Sequence, residues 1–302
     1  MSLETQIMGL RLRNPLMNAS GILGNKGELL ERLADSGLGA IVSKTITPEP
    51  RRGYDPPIIL ALPSGGVLNA VGLANPGMNA LDELLSRVRG KGVPVIVSIG
   101  GRTPEEYAAV AGRAEEAGAS AVEINLSCPH TEGYGADTAS TIDMIRRIVG
   151  AVASTISIPV SAKLGWSPQL VSAVSAALSS GASAVTLINV LKAMYIDVYT
   201  GRPVLTHGIG GLGGPPVHPV AVASVYTAYR ETGADIIGVG GVYDWRSAVE
   251  LILAGAKAVG IGSMILGRER ILVKEITEGM RKWLKEMGLA SIKEAIGIAH
   301  KR

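Results

Sequence analysis

The chain holds one cysteine, Cys128, in the run Asn125-Leu126-Ser127-Cys128-Pro129-His130. A lone cysteine is more often a small buried hydrophobe than a reactive group. Here the neighbours are polar, and Pro129 ends the preceding apolar run. A thiol of ordinary pKa about 8.5 serves as nucleophile or general base when a nearby cation favours the thiolate. The run alone does not separate those two roles. Lys44 and Lys163 each close an otherwise apolar stretch. A single such lysine commonly snorkels to solvent. Two of them, with Ser20, Ser98, Asn125 and Asn189 at equivalent ends of other stretches, suit an anionic ligand or charge developing on a reduced cofactor. Gly238-Val239-Gly240-Gly241-Val242, Gly260-Ile261-Gly262-Ser263 and the Gly210 to Gly214 run expose backbone N–H groups of the kind that cradle phosphate. With 39 glycines in the chain, position rather than number carries that inference. The histidines stand at 130, 207, 218 and 300; none pair at helical ligand spacing, so no metal site is expected.

These residues need elements to bring them together. Ser36-Gly37-Leu38-Gly39-Ala40 ends an amphipathic stretch and leads into an apolar run. The same junction recurs around Gly118, Gly181, Gly233 and Gly255. Each glycine stands where a helix stops in a left-handed conformation before a buried parallel strand. Eight strands are expected, over 16–19, 40–44, 95–99, 121–126, 160–164, 184–189, 236–240 and 258–262. The helices following them are expected over 26–35, 76–89, 104–116, 139–153, 168–178, 219–231, 245–253 and 273–287. Eight such units predict an α/β fold, the (β/α)8 TIM barrel, as a single domain over 1–302. A doubly wound open sheet would want a glycine fingerprint after the first strand, and Ala19-Ser20-Gly21-Ile22-Leu23-Gly24 resembles one only weakly. Residues 45–75 and 190–218 are too long for simple connections and read as functional loops at the C-terminal face.

Composition bounds the partners. Hydrophobic residues make up 47% of the chain, enough for a large core, and the net charge of +3 is too small to argue for nucleic acid or an anionic membrane. No apolar run reaches the ~18 residues of a spanning helix. The start, Met1-Ser2-Leu3-Glu4, has neither the basic opening nor the apolar run of a signal peptide. One cysteine cannot form an internal disulfide or ligate an iron–sulfur cluster. A reducing, cytoplasmic setting is expected.

The ordered segments NASGILG (18–24), SKTIT (43–47), EPRRGYDPP (49–57), LNAVGLANPG (68–77), EINLSCPH (123–130), INVLKAMYIDVYTGRP (188–203), GGLGGP (210–215) and GVGGV (238–242) resemble class 1 dihydroorotate dehydrogenases, particularly the class 1B catalytic subunit, over nearly the whole chain. LNAVGLANPG is the most telling. The resemblance implies FMN at the barrel mouth and oxidation of (S)-dihydroorotate to orotate in pyrimidine biosynthesis. It implies Cys128 as general base at ring carbon 5, with hydride from carbon 6 passing to the flavin. By the same carry-over, Lys44, Asn69, Ala70, Val71, Gly72, Leu73, Asn125, Asn189 and Val190 belong to the substrate site. Ser20, Lys44, Thr45, Ser98, Asn125, Lys163, Ile188, Gly214, Gly240, Gly241, Gly262 and Ser263 belong to the FMN site. A homodimer is implied, and class 1B members pair this chain with a subunit carrying FAD and an iron–sulfur cluster. The cysteine speaks against class 2, whose base is serine.

Three positions depart from the family's pattern. His130 stands where Asn is frequent, Val190 where Thr or Ser is common, and the run after Lys163 is one residue longer than usual. His130 is also found in a similar run of dihydropyrimidine dehydrogenases, which makes dihydrouracil or dihydrothymine the nearest competing substrate. That family lacks the Asn-Ala-Val-Gly-Leu segment. Residues 129–140, with Gly133 and Gly135, are expected to act as a lid.

Overall fold

The alternation of apolar runs with amphipathic stretches folds as eight parallel strands, each paired with the next in the chain. The computed structural model describes residues 1–21, 23–127 and 141–301. The barrel strands are Leu16–Asn18, Ile41–Val42, Val95–Ile99, Ala121–Asn125, Val160–Leu164, Ala184–Leu187, Ile236–Val239 and Ala256–Ile261. Val259 of the eighth pairs with Leu16 of the first. A bridge between Met17 and Ala40 joins the first to the second and closes the ring. The glycines at the five junctions, 37, 118, 181, 233 and 255, all have positive φ, as helix stops of this kind require.

The helices pack outside the ring. Pro104–Glu116 begins on Thr103, whose side chain accepts from Glu106 N, with a proline in the first turn. Ile142–Thr155 is capped in the same way by Thr141. Trp245–Leu253 carries a full capping box between Asp244 and Ser247. The second helix is shorter than its pattern suggested. A 3-10 turn, Met78–Ala80, precedes a helix of only Leu81–Ser86, because Gly77 holds φ at +80° and the chain turns again after Arg87. The second strand is shorter too. Ser43 N still donates to Ile96 O, but Lys44 N turns away to Gly24 O.

The two excursions expected as loops are built into a sheet. Strands Leu191–Met194, Ile209–Gly213, Val67–Asn69 and Ile59–Ala61 lie side by side in that order, all antiparallel. Leu68, Ala70 and Leu205 form a small core beneath it, which explains how such long connections stay ordered.

A further element, absent from the expected set, is the hairpin Thr5–Ile7 with Leu10–Leu12. Met8 and Gly9 both hold positive φ, 52° and 73°, as a two-residue turn matching strand twist requires. The hairpin delivers Ile7, Met8 and Leu12 against Met17, Ile96, Ala121, Ala184, Ile237 and Ala258, the inward-facing residues at the barrel's N-terminal end. The barrel is therefore plugged at one end and open for chemistry at the other. Among the described residues no helix is long and apolar enough to cross a membrane.

Candidate active site

Side chains alternate along each strand, so the residues that share a face are fixed by parity. Ala121, Glu123 and Asn125 point inward on the fourth strand, and Ser161 and Lys163 on the fifth; register sets Asn125 beside Lys163 and Glu123 beside Ser161. The upper members of these sets reach a cleft at the C-terminal mouth, with an empty volume of about 1030 Å³ counted to the solvent at its opening. That size is in the range of cofactor and ligand sites.

The two lysines expected to meet here do so. Lys44 is 7% and Lys163 3% exposed, and both line the cleft. Lys44 Nζ donates to Gly21 O at 2.6 Å. Lys163 Nζ donates to Ser20 Oγ at 2.9 Å, across the barrel from the fifth strand to the end of the first. Among the described residues that neutral hydroxyl is the hydrogen-bond acceptor given to the Lys163 ammonium, and no carboxylate pairs with it. A buried cation so sparsely matched is costly on its own and suits an anionic or electron-rich ligand.

Asn125 is oriented from several sides. Its Nδ2 donates to Thr45 Oγ1 at 3.0 Å, and its Oδ1 accepts from Ser127 N and Ser127 Oγ. Tyr107 OH, fully buried, donates to its backbone carbonyl at 2.9 Å. Asn189 Nδ2 donates to Ser127 O at 2.6 Å, linking the sixth strand's end to the fourth's. Ile188 and Val190 flank it on the cleft wall.

The glycine runs converge on the opposite wall, where Gly214, Gly240, Gly241, Gly262 and Ser263 line the same cleft. A side chain at Gly241 would meet Gly214 O at 2.7 Å and His218 Cβ at 2.8 Å; one at Gly240 would meet Ala221 Cβ at 2.5 Å. The close packing of the sixth helix behind these positions therefore admits only glycine. His218, left without a role by its sequence spacing, braces this wall. Its Nδ1 lies 2.8 Å from Gly240 O and its Nε2 2.8 Å from Glu250 Oε2, tying the sixth helix to the seventh strand's loop and the seventh helix.

From the small sheet, Asn69, Val71, Gly72 and Leu73 enter the cleft from above. Their loop is held by Asn75, a residue of the same motif that its sequence did not single out. Asn75 Oδ1 accepts from Thr47 N and Gly77 N, while Nδ2 donates to Thr47 Oγ1 and Leu73 O. Two expected contacts stand apart from the cleft lining. Ala70 packs into the small sheet's own core, and Ser98 lies behind Thr45, hydrogen-bonded to its Oγ1 at 3.0 Å. Ala19, Gly21, Gly213, Val217, Val239, Val242 and Met264 also line the cleft. The apolar ones had no chemical signal to mark them. Cys128, His130 and the expected lid at 129–140 lie outside the described residues.

The family model described as dihydroorotate dehydrogenase matches residues 2–284. The chain belongs to the dihydroorotate dehydrogenase family. It is an oxidoreductase of that family, whose members oxidise dihydroorotate in pyrimidine biosynthesis and depend on a flavin. A protein of Aeropyrum pernix, provisionally named dihydroorotate dehydrogenase A (fumarate), is 46% identical over 99% of this chain and 98% of its own. The catalytic subunit of dihydroorotate dehydrogenase B (NAD(+)) from Pyrococcus furiosus is 42% identical over the full length of both. A solved Eimeria tenella dihydroorotate dehydrogenase, in complex with ferulenol, superposes with a TM-score of 0.86 over 99% of this chain and 89% of that one. At 23% identity it speaks for the fold alone. These relatives give no support to the dihydropyrimidine dehydrogenase reading.

Proposed function

We propose that residues 1–302 form one catalytic domain, that the family's flavin is here FMN, and that the cleft oxidises (S)-dihydroorotate to orotate with Cys128 as general base. The observation that carries this reading is the buried Lys163 ammonium, matched among the described residues by Ser20 Oγ and sharing its cleft with the glycine runs. When bound, the flavin accepts the hydride from substrate carbon 6. The wall of Gly214, Gly240, Gly241, Gly262 and Ser263 would hold the phosphate through backbone N–H groups, with the Ser263 hydroxyl as a further donor. Ser20, Thr45, Asn125 and Ile188 would border the ring system, with Ser98 acting through Thr45. Lys163 would offset the negative charge of the reduced ring.

On the substrate side, Lys44 and the amides of Asn69, Asn125 and Asn189 supply donors for a carboxylate and ring carbonyls. Val71, Gly72, Leu73 and Val190 exclude water around them, and Ala70 supports that loop from behind. Cys128 would remove the proton from carbon 5, a task for which the thiolate is the competent form. We read the enzyme as cytoplasmic and homodimeric. The Pyrococcus relative's name, a catalytic subunit with NAD(+), favours a further subunit, which the class 1B resemblance would equip with FAD and an iron–sulfur cluster, whereas the Aeropyrum name favours fumarate as acceptor.

The test is anaerobic mixing of purified protein with dihydroorotate while flavin absorbance is followed, after the released flavin has been identified by mass. Bleaching in the native protein and a slowing of at least ~100-fold in Cys128→Ala with FMN retained support the reading, since general-base catalysis contributes about that much. FAD in place of FMN, no bleaching, or native rates in Cys128→Ala overturn the corresponding part. Adding fumarate, then NAD with and without a co-purified subunit, assigns the acceptor.

A further inference from the structure

Below the cleft, Glu123, Ser161 and Thr186 of the fourth, fifth and sixth strands all face the barrel interior; Glu123 is in register with Ser161, and Thr186 stands one inward residue higher, level with Lys163. Glu123 is 3% exposed, yet it sits among hydroxyls rather than beside a cation. Its Oε2 accepts from Thr186 Oγ1 at 3.0 Å. That bond joins the fourth strand to the sixth and so passes over the inner face of the fifth. On the fifth strand, Ser161 is in register with Glu123, and Lys163 is in register with Thr186 and Asn125. The carboxylate therefore lies one inward residue below Lys163, under the side chain that reaches across the mouth to Ser20. Glu123 Oε1 and Ser161 Oγ are both buried without a hydrogen-bond partner among the described residues. A half-satisfied carboxylate in the barrel axis is expensive for stability alone, so its position calls for a further role.

We propose that Glu123 is a positioning residue for the redox reaction. Its carboxylate, anchored by Thr186, sets the flavin's reduction potential through its negative charge. This rests on the flavin reading above. Reduction adds negative charge at the mouth, and Lys163 favours that charge. Glu123 opposes it through a low-dielectric interior where screening is weak. The pair would hold the potential between the values either charge alone would give, so that the flavin both takes hydride from substrate and passes electrons on.

The experiment measures the midpoint potential of the bound flavin by spectroelectrochemical titration of the holoenzyme. Glu123→Gln keeps the shape and the acceptor for Thr186 but removes the charge, and its potential is expected to rise. Glu123→Asp, which keeps the charge, is expected to stay near the native value. Thr186→Val removes the donor that damps the carboxylate's charge and is expected to lower the potential; it tests the idea alone should Glu123→Gln fail to fold. A residue with only a structural part would lower flavin affinity or melting temperature and leave the potential unmoved. An unchanged potential in folded, flavin-bearing Glu123→Gln, or in Thr186→Val if that variant alone folds, overturns the proposal. A native protein that binds no flavin overturns the reading beneath it instead.

Discussion

Asn75 illustrates how one side chain can govern a site it does not touch. Its amide makes four hydrogen bonds that hold Thr47, Leu73 and Gly77, and so aim Val71 to Leu73 into the cleft. Removing a buried amide leaves its partners unsatisfied, at a cost of roughly 1–3 kcal/mol for a buried group. Asn75→Ala is therefore expected to lose stability of that order in urea titration and to weaken orotate binding while retaining flavin. A variant with native orotate affinity would show that the loop holds its shape without the amide. His218 acts similarly on the other wall. His218→Ala frees Gly240 O and Glu250, and faster flavin loss on dilution, read by fluorescence, is the expected outcome. At this scale the chain's own text was uneven. Lysine, asparagine and glycine at strand ends could be picked out because buried charge and missing side chains are chemically conspicuous. Val217, Val239 and Met264 could not, since an apolar wall residue looks like any core residue.

Elements position these residues, and two of them invite direct tests. The hairpin of residues 5–12 plugs the barrel base with Ile7, which is fully buried. Ile7→Ala should cost about 2–5 kcal/mol, the usual range for such a deletion in a core, measurable as a lower urea midpoint with unchanged slope. At the start of the fifth strand, Glu115 accepts from Ser157 Oγ, Ser157 N and Ile158 N. The Ser157 side chain and backbone, with Ile158 N, hold this carboxyl below its ordinary value of 4.5. A folded-state pKa below the unfolded one means that the ionised group favours the folded state. Its contribution is present above pH 4.5 and is lost as pH falls through the lowered folded value. Glu115→Gln should accordingly melt below the native protein at neutral pH, with the gap closing in acid. A constant gap across that range would point to packing rather than charge.

At the scale of the whole molecule, ring closure makes the site a property of every strand at once. Lys163 meets Ser20 only because the first strand pairs with the eighth and bridges to the second. A ligand that bonds across this mouth ties together strand ends far apart in the chain, so flavin removal should destabilise the whole fold cooperatively. At a flavin concentration 100-fold above its dissociation constant, linkage predicts about 2.7 kcal/mol of added stability. Calorimetry of holo- and apoprotein would check this, and two separate transitions in the apoprotein would argue against one cooperative barrel. Orotate should add a further increment and uracil far less, since uracil lacks the carboxylate that the proposed donors would meet.

Local pattern determined the eight strands, their helices and the residues at the strand ends, because helix stops, caps and parallel-strand burial are written within a few residues of one another. The five junction glycines, read as left-handed stops, all adopt positive φ. The sheet built from residues 59–69 and 191–213, the N-terminal plug, and the roles of Asn75, His218 and Glu123 were decided only in three dimensions. Each depends on partners outside its own local run, such as Thr47 for Asn75, Glu250 for His218 and Thr186 for Glu123, and sequence spacing carries no record of a pairing that closes through space.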